Sequence, residues 1–169
     1  MYPYNVRNQR LNISSKEGAG TTYAKAVPPK NNAVMKDERI LEMLKNAIIG
    51  EMQDAAKYKQ YYENIDNPES KAIIRSIYLD ELKHRKMFED MYFMFAGERP
   101  VIECPLPQAA GETFIDDCLS DEMAGLRFYS RLYGCLEDQE MKDMLIEVMA
   151  DESTHMCKLN TALSKSLSK

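Results

Sequence analysis

Tryptophan is absent from this chain, and glycine and proline number only seven each, so the composition leans helical. No apolar run approaches the roughly 18–20 residues needed to cross a bilayer, and no membrane partner is expected. The opening residues, Met1-Tyr2-Pro3-Tyr4-Asn5, hold no apolar stretch of the kind a signal peptide needs, so a cytoplasmic protein is expected. The four cysteines, at 104, 118, 135 and 157, form no C-x-x-C pair, which excludes a zinc knuckle or a four-cysteine iron site built from such pairs. They read as reduced packing cysteines, with Cys118 facing the core four residues before Glu122.

What is present suits one well-buried core in 169 residues, too few for two comfortable domains. The net charge of −5 is unevenly spread. Residues 1–36 carry six basic side chains against Glu17 alone, a net of +5, and the remainder holds 16 basic and 26 acidic, a net of −10. An acidic body argues against nucleic acid as a partner and is compatible with attracting cations. A solvated acidic surface gives the same number.

Residues 1–36 lack apolar periodicity and end in Pro28-Pro29-Lys30-Asn31-Asn32, a pattern read as a flexible basic arm whose Tyr2, Tyr4 and Tyr23 could anchor it. From Asp37 the pattern is helical, and residues 37–165 are read as one bundle. Leu44, Ile48, Glu51, Ala55, Tyr58 and Tyr62 form one stripe of a first helix ending near Ile65. Asn67-Pro68-Glu69 reads as the cap and acidic first turn of a second helix, with Ile74, Ile77, Glu81, His84, Phe88, Met91 and Phe95 on one face. A Pro-punctuated link follows Gly97. A third helix is expected from about Glu112, turning Ile115, Cys118, Glu122, Leu126, Tyr129 and either Tyr133 or Leu132 inward. Asp138 would cap a fourth, with Met141, Leu145, Val148, Glu152, His155 and Leu159 inward and Ser164 to Lys169 frayed.

Two stretches organise this pattern: Asp80-Glu81-Leu82-Lys83-His84 and Asp151-Glu152-Ser153-Thr154-His155. Each sets a carboxylate and an imidazole three residues apart, on one helical face. Each follows a lone Glu, Glu51 or Glu122, by 30 residues from Glu to Glu. A gapless shift of 71 residues superposes the halves, matching Glu51 with Glu122, Tyr58 with Tyr129, Asp80 with Asp151, Glu81 with Glu152 and His84 with His155. The chain is a duplicated helical hairpin.

The midpoint of Glu51 and Glu81 is residue 66, and that of Glu122 and Glu152 is 137; both fall in the expected turns. Antiparallel helices rise equally from a shared turn, so each Glu pair stands level, roughly 20 Å from it at about 1.5 Å per residue. The 14-residue link from 97 to 110 can span about 45 Å extended, which suits a long crossover along a four-helix bundle.

A single Glu-x-x-His is usually a surface pair. Here both lie on apolar stripes, flanked by Ile77 and Phe88 or by Val148 and Leu159. Four buried carboxylates and two imidazoles without partners would cost several kcal/mol per charge, and two divalent cations would neutralise the carboxylates. The expected ligands are therefore Glu51, Glu81, His84, Glu122, Glu152 and His155, with Glu81 and Glu152 bridging. Carboxylate and imidazole without thiolate suit two iron ions, with manganese as the alternative and zinc as an adventitious occupant. Two reducible metals can each give one electron, matching two-electron reduction of peroxide or dioxygen. Tyr58 and Tyr129, two turns after Glu51 and Glu122, could donate to carboxylates of the opposite half; as amphipathic core filler they would serve equally well one at a time.

These residues make 37–160 resemble the rubrerythrin branch of the ferritin-like superfamily: Gly50-Glu51, Tyr58, Asp80-Glu81-x-x-His84, Glu122, Tyr129 and Asp151-Glu152-x-x-His155. The resemblance implies an all-α, ferritin-like four-helix bundle with a non-haem di-iron site, commonly a homodimer, reacting with hydrogen peroxide or dioxygen. The basic, Tyr-rich arm also looks like that of ferritin-like proteins from spore-forming bacteria. Typical rubrerythrins add a rubredoxin domain with two C-x-x-C pairs. Without such pairs, an external electron donor is expected, such as a rubredoxin-like protein or a small reductant. Typical members also bear an extra Glu three residues after the third-helix ligand, where Gly125 stands here, with Asp54 at the equivalent first-half position. An oxidase, a ferroxidase that handles iron, and a non-enzymatic metal-stabilised bundle in a spore-associated assembly remain alternatives to a peroxidase.

Overall fold

Asp37 opens the first helix of the computed structural model, which describes residues 37–103 and 114–167. Its carboxylate accepts from the Arg39 amide at 3.0 Å, satisfying an amide that the first turn of α1 (Glu38–Asn64) leaves free. Asn67 does the same for α2 (Pro68–Ala96), taking the Glu69 and Ser70 amides, each at 3.0 Å, while Pro68 begins the helix where no donor is needed. Gly97 ends α2 at φ 78°, a left-handed conformation that glycine adopts without strain, and its amide donates to Phe93 O. Helix α3 spans Phe114–Cys135 and α4 spans Gln139–Leu167, with Asp138 accepting from the Met141 amide at 2.9 Å.

The described residues form an all-α, four-helix bundle. α1 packs on α2, α3 on α4, α2 on α4, and α1 more sparsely on α3, leaving α1/α4 and α2/α3 as the diagonals. Ala96, at the end of α2, shares a core with Ile40 and with Leu136, just beyond α3. Phe114, at the start of α3, packs instead at the opposite end, stacked on Tyr61 with ring centroids 3.8 Å apart. α3 therefore begins a bundle length away from where α2 stops and runs parallel to it, as the expected crossover requires. The arm expected at residues 1–36 and most of the linking segment lie outside the described residues.

Two differences from the expected elements concern helix ends and faces. α4 continues helically to Leu167 rather than fraying from Ser164. Its last turns are tied to α2: Asn67 Nδ2 donates to Lys165 O, Ser70 Oγ donates to Ala162 O at 3.0 Å, and Lys165 pairs with Glu69. Leu126, Tyr62 and Phe95 are half-buried, because the stripe they extend drifts toward the rim of its helix.

The apolar core is split in two. Leu44, Ile48, Phe88, Met91, Leu132, Leu145 and Val148 fill the end nearer Ala96. Tyr58, Ile74, Ile77, Phe114, Cys118 and Leu159 fill the other. Between them lies a polar layer.

Candidate metal centre

That layer is Glu51, Glu81, His84, Glu122, Glu152 and His155, one or two from each helix, all buried, with even the most open, Glu122 and Glu152, only 5% exposed. The six residues singled out in the sequence are thus brought together. They form two overlapping groups whose donor atoms lie within 4.8 Å of one another: Glu51, Glu81, His84 and Glu152, and Glu81, Glu122, Glu152 and His155. Glu81 and Glu152 belong to both, as carboxylates placed between two cations would.

The imidazoles are set by their outer nitrogens. His84 Nε2 lies 3.1 Å from Asp151 Oδ2, and His155 Nε2 lies 3.2 Å from Asp80 Oδ2. A carboxylate can only accept, so Nε2 carries the hydrogen and Nδ1 turns inward. Nδ1 of His84 stands 3.3 Å from Glu152 and 3.4 Å from Glu81; Nδ1 of His155 stands 3.0 Å from Glu81 and 3.3 Å from Glu122. The aspartates are themselves held, Asp151 by Lys83 and Asp80 by Lys158, each at 2.8 Å. Burial works against the Asp80 charge, but His155 and Lys158 pull its carboxyl down to about 2.

Each half completes the other. Asp80 of the first motif orients His155 of the second, and Asp151 orients His84. Tyr58 of α1 donates to Glu122 Oε1 of α3, and Tyr129 of α3 donates to Glu51 Oε1 of α1. Burial, and then the facing carboxylate, push both phenols well above their usual range, so each hydroxyl keeps its proton and donates it. Asp80, Asp151 and their lysines were not among the residues expected to function. The repeat signalled the aspartates, since Asp80 and Asp151 superpose at the same shift of 71. It did not signal the lysines, because Lys83 aligns with Thr154 and Lys158 with Met87.

The donor set fits a metal pair on its own terms. Among the described residues, the buried side-chain nitrogens and oxygens without a hydrogen-bond partner are Glu81 Oε1, His84 Nδ1, Glu122 Oε2, Glu152 Oε1 and His155 Nδ1. All five belong to this centre. Unsatisfied buried polar atoms are rare and costly, and five converging on one point mark a place for cations. Without metal, protons take that role. Burial, reinforced by Glu81, pushes the Glu51 carboxyl well up, and burial raises that of Glu152. Burial disfavours the His155 charge, but Asp80, Glu122 and Glu81 raise its pKa to about 11. Glu152, Glu51 and Glu81 likewise outweigh burial and raise His84.

The rubrerythrin family profile matches residues 42–110, which contain nearly all of the first hairpin and its three inward ligand candidates. Over that stretch the chain is rubrerythrin-like, within a four-helix bundle of the ferritin-like fold. No curated protein matches the chain. The second hairpin lies outside the matched stretch and resembles the first through the internal repeat at 71 residues. Gly125 adds no further carboxylate three residues after Glu122, and Asp54, its first-half counterpart, pairs with Lys57 at 2.9 Å. Among the described residues, no helix is long and apolar enough to cross a membrane.

Proposed function

We propose that this protein is a non-haem di-iron oxidoreductase that reduces hydrogen peroxide or dioxygen with electrons from an external donor. The observation that carries the reading is the sharing of Glu81 and Glu152 by two buried ligand groups, each with its own terminal Glu and inward His. Glu51 and His84 would complete one position, Glu122 and His155 the other. Mixed carboxylate and imidazole donors favour iron or manganese over thiolate-loving metals, and four carboxylates balance two divalent charges. Such a pair supplies two electrons, one from each metal, which is the requirement of peroxide reduction.

The chain's own residues do the rest. Asp80 and Asp151 hold a proton on each Nε2, leaving each Nδ1 lone pair for the centre. Tyr58 and Tyr129 take up one oxygen of Glu122 and Glu51, limiting the ways those carboxylates can turn. Apolar layers above and below keep bulk water from the bundle axis. Lacking C-x-x-C pairs, the bundle depends on electrons from outside it, and a rubredoxin-like protein has the right chemistry. We place this activity in a cytoplasmic homodimer.

Iron-loaded, reduced protein titrated anaerobically with peroxide should be reoxidised at the centre, and Glu81→Ala, which removes an oxygen donor from both groups, should abolish this. Equal oxidation rates in the variant and the unaltered protein would refute the reading.

A further inference from the structure

α1 and α3 touch least of the neighbouring helices, and between them runs an open groove of about 700 Å³. Ala47, Gly50 and Asp54 line it from α1, and Ala124, Gly125 and Tyr129 from α3. None of the six candidate ligands lines the groove, but Gly125, which does, lies directly against Glu152 of the metal centre. A Cβ there would lie 3.5 Å from Glu152 Oε2 and 3.5 Å from the Tyr129 ring, whereas one at Gly50 would meet nothing within 4 Å. Glu152 is 5% exposed, its Oε1 has no hydrogen-bond partner, and its other oxygen faces the position that glycine leaves bare. Lys57 spans the groove beside this point, pairing with Asp54 of α1 and Asp121 of α3. These pairs leave less net charge there to attract or repel a ligand.

Hydrogen peroxide and dioxygen are two heavy atoms each and need little more room than a water, about 30 Å³. The groove lies instead in the range of about 300–1,000 Å³ typical of sites for organic ligands. We propose that the groove admits neutral organic hydroperoxides to the metal centre, and that Gly125 determines this specificity by placing no side chain between the groove and the Glu152 carboxylate. The inference rests on the peroxide-reducing reading above. The carbon substituent lies along Ala47, Ala124 and Tyr129, and the hydroperoxide end reaches the Glu152 edge of the centre. The conversion is ROOH + 2 e⁻ + 2 H⁺ → ROH + H₂O: the O–O bond breaks, both electrons come from the external donor, and solvent furnishes the protons.

Two readouts test this. In the first, reduced iron-loaded protein is mixed with hydrogen peroxide or cumene hydroperoxide, and the two reoxidation rates are compared. The cumene rate should lie within tenfold of the peroxide rate, and Gly125→Leu should lower the ratio of the two at least tenfold. In the second, cumyl alcohol, the unreactive product, is titrated into zinc-loaded protein while the Gly50 amide resonance is followed. It should shift saturably, with binding at least tenfold weaker in Gly125→Leu. A cumene rate more than tenfold below that of hydrogen peroxide, a ratio unchanged in Gly125→Leu, or an unmoved Gly50 resonance overturns the proposal while leaving peroxide reduction intact. Loss of both reactions with cumyl alcohol still bound overturns the hydroperoxide assignment together with the peroxide reading, and leaves only a binding groove. If Gly125→Leu fails to fold by circular dichroism, Gly125→Ala, whose added atom makes only ordinary contacts, takes its place with a threefold change as the threshold.

Discussion

Removing the Tyr129 hydroxyl isolates one bond of the metal centre. The ring stays packed on Phe88, at 5.0 Å between centroids, so Tyr129→Phe alters the core volume little and deletes chiefly the donation to Glu51. In the metal-free protein, burial and Glu81 favour a protonated Glu51, so the lost bond is between neutral groups and is worth about 0.5–1.5 kcal/mol. With metal bound, Glu51 must be ionised, and a bond to a charged acceptor is worth about 1.5–3 kcal/mol. The difference, about 1–1.5 kcal/mol, is lost from metal binding, roughly a tenfold weaker Kd at about 1.4 kcal/mol per decade. Removing an outer hydrogen-bond partner of a metal ligand generally weakens binding by about 10–100-fold, and this value lies at the low end. Competition against a calibrated chelator should show the loss at one of the two positions. Tyr58→Phe should show it at the other, through Glu122. An affinity within twofold of the unaltered protein for both variants would mean that the tyrosines merely fill space.

Two further outcomes concern the imidazoles. Asp151→Asn removes the charge that faces His84 Nε2 but keeps the shape, so the position served by His84 should weaken by about 10–100-fold while that served by His155 holds; two-step metal titration distinguishes them. Metal must displace the protons that the carboxylates hold on the imidazoles, so affinity should rise with pH between about 6 and 8, by about one decade per pH unit for each proton released. The same proton has an opposite signature without metal. The His155 pKa is raised to about 11, so its contribution to metal-free stability is complete below about 6.5 and is lost as pH climbs toward 11. Chemical denaturation across that range should show metal-free protein weakening on the alkaline side; flat profiles in both measurements would refute the account.

Much of this architecture was legible before any tertiary information. Asn67-Pro68 and Asp138 announce helix starts because amides in a first turn need acceptors, and both cap as read. The end of α4 was not legible: Ser164 to Leu167 carry no strong helical signal, and contacts of Ala162 and Lys165 with Asn67, Glu69 and Ser70 at the start of α2 hold it. Lys83 and Lys158 were equally silent, since each finds its aspartate across a helix interface and neither recurs at the repeat distance.

The sequence by itself determined the two Glu-x-x-His faces, the level of each Glu within its hairpin and the duplication that pairs the halves. Those are consequences of helical periodicity and of equal rise from a shared turn, and both act along the chain. Only the tertiary structure decided that Asp80 serves His155 and Asp151 serves His84, that Tyr58 and Tyr129 exchange carboxylates between α1 and α3, and that α1 and α3 part beside Gly125. These depend on which helices pack side by side and how closely, and spacing along one helix carries no record of the neighbour's face.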